Sequence, residues 1–235
     1  GPFRVLVPCI EESCVHVEPD GDVHQIDGEA VLKAFKVLEP IIGDDASRPW
    51  QAGILLKGQS AFATCNVVLV EYWLGADFGH VVNIPLQAVR EVIRINEAPT
   101  HVQMTDNSFT FHFSGKRWVR TQLLPTDWPD LGKILDKQSN QEPIDARLFV
   151  AMDKLKKFID KMGRIYMTDG LVHTHADPED GTSYKLEGSV VKGVYSRDMF
   201  CLLNGLADTI DLSTWPKACM FYGDRLRGAI IGMQA

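Results

Sequence analysis

Phe113-Ser114-Gly115-Lys116-Arg117-Trp118-Val119-Arg120 and Phe221-Tyr222-Gly223-Asp224-Arg225-Leu226-Arg227 are the stretches whose comparison decides the fold. Both contain Phe-x-Gly-x-Arg, with a glycine where a hairpin must turn. Each closes a run of the same kind, a strand, a helix and a hairpin, over 81–123 and again over 190–233. No candidate catalytic residue is repeated with it. Duplication of shape without duplication of chemistry points to a ring or a scaffold.

Four segments have helical periodicity. Gly28–Leu38 puts Val31, Ala34, Phe35 and Leu38 on one face and Glu29, Lys33 and Lys36 on the other, with Pro40 just beyond its end. A second helix begins at Pro85, a favoured first-turn residue, and gathers Leu86, Val89 and Ile93, with Arg90 and Arg94 toward the other side. The longest spans Asp145–Met162, its apolar stripe formed by Leu148, Met152, Leu155, Ile159 and Met162. The fourth opens with Ser196 as N-cap and packs through Met199, Leu202, Leu203 and Leu206.

Strand-like runs fill most of the remainder, among them Gln51–Lys57, Ala61–Trp73, His101–Met104, Phe109–Phe113, Arg164–Thr168, Leu171–His175, Val190–Tyr195 and Leu226–Met233. Asp106-Asn107, Asp169-Gly170 and Pro178–Gly181 mark turns. The polar run 136–144 reads as a linker between a domain over 1–135 and another over 145–235, with residues 3–26 as a strand-like extension of the first. The expected class is α+β, with two helices of each domain packed on antiparallel sheets.

The chain has 235 residues and a net charge of −7, which argues against a body coated in basic surface but leaves room for a basic stripe. No apolar run approaches the roughly 18 residues of a membrane span, and no stretch reads as a signal peptide. Gly1-Pro2 reads as a protease scar and is set aside. The five cysteines (Cys9, Cys14, Cys65, Cys201, Cys219) read as reduced thiols of a cytosolic protein.

Chemistry is sparse. The phosphate-cradling Gly-x-x-x-x-Gly-Lys-Ser/Thr pattern does not occur, so nucleotide hydrolysis is not expected. His173-x-His175-x-Asp177 could put two imidazoles on one strand face beside a carboxylate, the beginning of a metal site, although its setting is an ordinary acidic turn. No cofactor and no metal are expected. Cations, by contrast, recur on the polar helix faces. At about 100° per residue, Arg147, Lys154 and Lys161 fall within about 40° of one another, flanked by Lys157. Lys33 and Lys36, Arg90 and Arg94, and Arg197 repeat the idea on the other helices. Such stripes suit phosphates met without sequence preference; the ordinary alternative is a solvated helix face.

The order of elements resembles the DNA sliding clamps, the processivity rings of replicative polymerases, best of all the bacterial beta type and its phage relatives. Arg48-Pro49-Trp50-Gln51-Ala52-Gly53-Ile54 is similar to the family's Arg-Pro-x-x-x-Gly-Val strand entry. Ala63-Thr64-Cys65-Asn66-Val67-Val68-Leu69 follows its Ala-Thr-Asp-x-x-x-Leu strand, with Cys65 where an aspartate is usual. Trp128-Pro129-Asp130-Leu131 resembles the Phe-Pro-Asp segment that leaves one clamp domain for the next.

The resemblance implies a non-enzymatic ring around duplex DNA, with the cations above facing the backbone. It implies a hydrophobic pocket for short peptides of a polymerase and other clients, carried here by Thr64, Val67, Leu69, Ile231 and Met233. A separate clamp loader would supply nucleotide hydrolysis. Bacterial clamps carry three domains and close as dimers; two domains imply a homotrimer, and with them a phage-encoded clamp in the cytoplasm of an infected bacterium. Two alternatives are a monomeric processivity factor of the same fold and a metal-dependent enzyme using His173 and His175.

Overall fold

A computed structural model of the chain describes residues 18–168, 170–188 and 191–234. Most of the N-terminal extension, Cys9, Cys14, Asp169 and Val190 lie outside those residues.

One unit of strand, helix and three strands occurs four times. The first comprises β1 (Asp22–Gln25), α1 (Gly28–Leu38), β2 (Gly53–Lys57), β3 (Ser60–Thr64) and β4 (Val68–Trp73). The second comprises β5 (Val82–Pro85), α2 (Leu86–Ile95), β6 (His101–Met104), β7 (Ser108–His112) and β8 (Trp118–Gln122). After a short helix α3 (Gly132–Leu135), the third has β9 (Glu142–Pro143), α4 (Arg147–Leu155), β10 (Arg164–Thr168), β11 (Leu171–His173) and β12 (Ser183–Lys185). The fourth has β13 (Gly193–Ser196), α5 (Arg197–Cys201), β14 (Thr209–Ile210), β15 (Ala218–Gly223) and β16 (Leu226–Ile231). The two Phe-x-Gly-x-Arg stretches fall at the final hairpins of units two and four, where Lys116 and Arg225 turn the chain with positive φ.

Units exchange their first strands. β1 joins unit two in the sheet β1-β6-β7-β8, and β13 joins unit three in β12-β11-β10-β13. The third sheet has eight strands, β5-β2-β3-β4-β16-β15-β14-β9, all antiparallel along its length. Its centre is the pairing of β4 with β16, Val68 opposite Ile230 through Tyr72 opposite Leu226. The last strand of unit one is thus zipped to the last strand of unit four.

Local chemistry accounts for the helices. Asp27 caps α1 by accepting from the Ala30 N–H at 3.0 Å. Its face of Val31, Ala34, Phe35 and Leu38 is buried against the inner sides of the sheets. α2 follows Pro85 and stops at Asn96, which takes the left-handed conformation that asparagine tolerates.

The third helix is shorter than its sequence periodicity suggests: α4 ends at Leu155, and Lys156–Phe158 continue as a single 3-10 turn. Asp160 accepts from the Met162 and Arg164 N–H groups, and Gly163 adopts φ +68°, so a side-chain-closed turn replaces the last helical turns. Met162 is consequently exposed rather than part of an apolar stripe. The run Ala61–Trp73 is likewise two strands, broken at Asn66 with φ 69°. The fourth helix ends at Cys201 rather than running on to Leu206, with turns and Gly205 at φ +73° following.

The segment 136–144 carries structure of its own. β9 pairs with β14, and the Asn140 N–H donates to Asp211 at 2.8 Å. Among the described residues no helix is long and apolar enough to cross a membrane.

Candidate functional site

On the face of the eight-stranded sheet opposite the main core lies a second, smaller cluster of Leu55, Phe62, Leu69, Leu135, Met220 and Ala229. Trp128, Leu131 and Ile134 cover it. Coverage is incomplete. Ala229 sits between Leu69 on β4 and Met220 on β15, and its methyl group leaves space that larger neighbours would fill. The result is a hollow of about 120 Å³ bounded by Trp50, Thr64, Asn66, Val67, Leu69, Pro129, Leu131, Ile134, Ala218 and Ile231.

The rim is fixed from both halves of the chain. The Thr64 hydroxyl donates to the Val68 carbonyl at 2.8 Å and accepts from the Asn66 N–H, which tightens the β3–β4 turn and holds Val67 at the mouth. Arg48 donates to the Asn66 side chain at 2.5 Å. Asn83, fully buried, donates to the carbonyls of Trp50 and Pro125, both at 2.7 Å, and so anchors the two segments that bring Trp50 and Trp128 into ring contact. Ile231 is 47% exposed at the edge of the hollow. An apolar recess with a few backbone groups at its rim suits a small hydrophobic anchor of an extended peptide.

Thr64, Val67, Leu69 and Ile231 therefore line one hollow. Met233 is not among its lining residues: its N–H donates to the Val194 carbonyl at 2.7 Å, and its own carbonyl accepts from Trp215, which ties it to β13. Sequence reasoning passed over Trp50, Pro129, Leu131, Ile134, Ala218 and Ala229. The Trp128-Pro129-Asp130-Leu131 stretch was the available signal for the roof. Nothing local marks the two alanines. Cys65 points elsewhere, with its sulfur 3.5 Å from that of Met199.

The candidate DNA-facing cations divide into two groups. Arg90 pairs with Glu39 at 2.6 Å, Arg94 with Glu91 at 2.5 Å and Arg147 with Asp145 at 2.7 Å. Arg197 is held by Asp198 at 2.8 Å and by Asp153 of α4 at 3.7 Å, with its side chain 13% exposed. Hydrogen bonding to Asp198 raises its pKa above the ordinary arginine value. Lys36 donates to Asn96, and the Lys154 ammonium lies 5.1 Å from the centre of the Tyr184 ring.

Lys33, Lys157 and Lys161 are exposed, as is Lys156, which the sequence reading left out. Because α4 ends at Leu155, Arg147 and Lys154 share that helix while Lys157 and Lys161 lie beyond it, so the four do not form one continuous stripe.

The two histidines do not converge. His173 is buried, with Nδ1 2.6 Å from the His175 carbonyl and Nε2 3.3 Å from the Thr168 hydroxyl, whereas His175 is exposed beside Asp180. Among the described residues no group of three or more His, Cys, Asp or Glu side chains is placed to hold a metal.

No protein-family model matches the chain, and no curated protein matches its sequence. Solved structures do. A DNA polymerase sliding clamp from Pseudomonas aeruginosa, solved with a ligand, superposes with a TM-score of 0.75 at 14% identity, covering 97% of this chain and 70% of that one. A sliding clamp (DNA polymerase III subunit beta) from Bartonella birtlesii, bound to griselimycin, gives 0.77 at 12% identity, covering 97% and 71%. The Helicobacter pylori beta clamp in complex with 3,4-difluorobenzamide gives 0.74 at 13% identity, covering 93% and 68%. Four strand–helix–hairpin units joined through one long sheet are thus the DNA sliding-clamp fold. Among the structures that share it with this chain are the DNA polymerase III beta subunits of Pseudomonas aeruginosa and Bartonella birtlesii.

Proposed function

We propose that the chain is a DNA sliding clamp, which closes head to tail as a homotrimer around duplex DNA and tethers a polymerase and other clients through the hollow beside Leu69 and Ala229. The observation that carries this reading is the β4–β16 joint. It fuses the last strands of units one and four into one sheet, and the same joint between chains would continue the sheet into a ring. The equivalent strands of units two and three, β8 and β12, each pair on one side only among the described residues. An edge of this kind is a template for strand pairing with another chain.

Each chain spans about seven-tenths of the bacterial clamps it matches, so three copies would supply the units that two bacterial chains do. The exposed lysines of α1 and of the α4 region would meet the DNA backbone, weakly enough for sliding. Two clamp-type domains, over 1–135 and 145–235, are the simplest division of the four units. Residence on DNA would be topological, and loading would fall to a separate clamp loader.

The experiment is release on linearisation. Protein loaded on nicked circular DNA should stay bound at high salt and be lost once the circle is cut. Equal, strongly salt-sensitive binding to linear and circular DNA would instead support a monomeric processivity factor.

A further inference from the structure

β4 and β8 are counterparts, and the structure shows it in a side-chain detail. The Ser60 hydroxyl donates to Glu71 at 2.7 Å, and the Arg120 guanidinium donates to the Ser108 hydroxyl at 3.1 Å. In both units the serine opens the middle hairpin strand, and its partner lies on the last strand opposite the residue two further on, Phe62 for Glu71 and Thr110 for Arg120. Arg120 therefore stands where Glu71 stands, with the opposite charge.

On the other side of the joint, Glu71 faces Arg227, which itself lies opposite Tyr222 of β15. In unit three the matching strand is β12, and Ser183 opposite His173 takes the place of Arg227. The hairpin loop leading into Ser183 contains Asp177, Glu179 and Asp180, all exposed. One joint is thus acid on the β4 side and base on the β16 side. The other offers base on the β8 side and acid next to β12.

We infer that Arg120 is the specificity residue of the joint between subunits, where it meets the acidic loop of residues 177–180 on a second copy of this chain. The inference rests on the head-to-tail reading above. The inverted charges give it a definite role. Pairing β8 with β16 would set Arg120 opposite Arg227, so β8 cannot take the place of β4 inside another chain. Pairing β8 with a second β8 centred on Arg120 would bring like charges together and disfavour that two-fold dimer. Between the two free edges, β8 against β12 matches opposite charges through the loop ahead of β12, since the strand itself carries only the exposed Lys185. In the free chain Arg120 is held by Asp20 at 2.5 Å, whose side chain is 64% exposed and open to exchange for the partner's carboxylates.

The test is charge reversal and exchange, read by absolute mass in solution over a dilution series. Arg120→Glu, and separately Glu179→Lys with Asp180→Lys, should each raise the concentration at half assembly at least about tenfold. The combined variant should return to within about threefold of the parent. The loop substitutions are at exposed positions, so they decide the matter if Arg120→Glu lowers the melting temperature of the chain. An assembling parent with unaffected variants, or with no recovery in the combined variant, overturns the role of Arg120 and leaves the ring intact. A parent that never assembles overturns the head-to-tail reading itself.

Discussion

Glu71 on β4 and Arg227 on β16 stand directly opposite one another, with carboxylate and guanidinium 2.6 Å apart. The same guanidinium reaches Asp136 at 3.0 Å and donates to the Leu135 carbonyl at 3.2 Å. One arginine therefore ties together the first unit, the last unit and the segment between the two halves of the chain.

Arg227→Ala should destabilise the fold by about 1 kcal/mol, because it leaves the Glu71 carboxylate with only the Ser60 hydroxyl as donor and the Leu135 carbonyl without its arginine. Glu71→Gln keeps the shape and should cost about 1 kcal/mol or less. Urea unfolding measures both. A loss below about 0.5 kcal/mol for Arg227→Ala would mean that the joint is held by strand pairing and apolar contact alone.

Ile231→Asp should weaken binding of a short peptide with apolar anchors at least about tenfold while leaving thermal stability nearly unchanged, since Ile231 is half in solvent. Ala229→Leu should fill the hollow and do the same. Trp50 lines the rim, so its fluorescence should report binding. Calorimetry showing parental affinity in both variants would place the client site elsewhere.

Lys154→Glu with Lys161→Glu should reduce processive synthesis in a reconstituted assay without changing assembly or melting temperature. Arg197→Ala should behave in the opposite way. Its side chain is nearly buried while Asp153 and Asp198 are largely in solvent, so its loss should cost about 1 kcal/mol, chiefly as lost packing. Undiminished synthesis with the doubly reversed lysines would remove them from the DNA-facing surface.

Asp211 carries a pH dependence. Burial pushes its carboxyl pKa up, but hydrogen bonds from Ser213 and from the Asn140 N–H outweigh burial and hold it below the ordinary value of 3.8. A lowered folded pKa means that the unfolded chain binds the proton first. The stabilisation is then complete above the unfolded value and is lost as pH falls through the folded one. Acid unfolding of Asp211→Asn should therefore be less steep below about pH 4, and the variant should be less stable near neutrality. Parallel curves for parent and variant would contradict this.

The architecture was legible where units carry local signals. Phe113-x-Gly115-x-Arg117 and Phe221-x-Gly223-x-Arg225 mark the closing hairpins of units two and four. Units one and three close differently, through the Thr64–Val67 turn and the long acidic loop before Ser183, so the hairpin motif marks only two of the four units. The exchange of first strands between units is visible only in the structure. The α4 boundary was missed because Ile159 and Met162 keep helical spacing, while Asp160 and Gly163 close a turn that the spacing cannot show. The hollow depends on two small residues and on segments distant in sequence. Its strand residues followed from the resemblance, but Ala218 and Ala229 contribute by what they lack.

The central claim is a closed ring of three chains, and absolute mass by light scattering over a dilution series tests it most directly. Three chains of 26.2 kDa should give a stable species of about 79 kDa. A single-chain mass that persists at high concentration would contradict the ring.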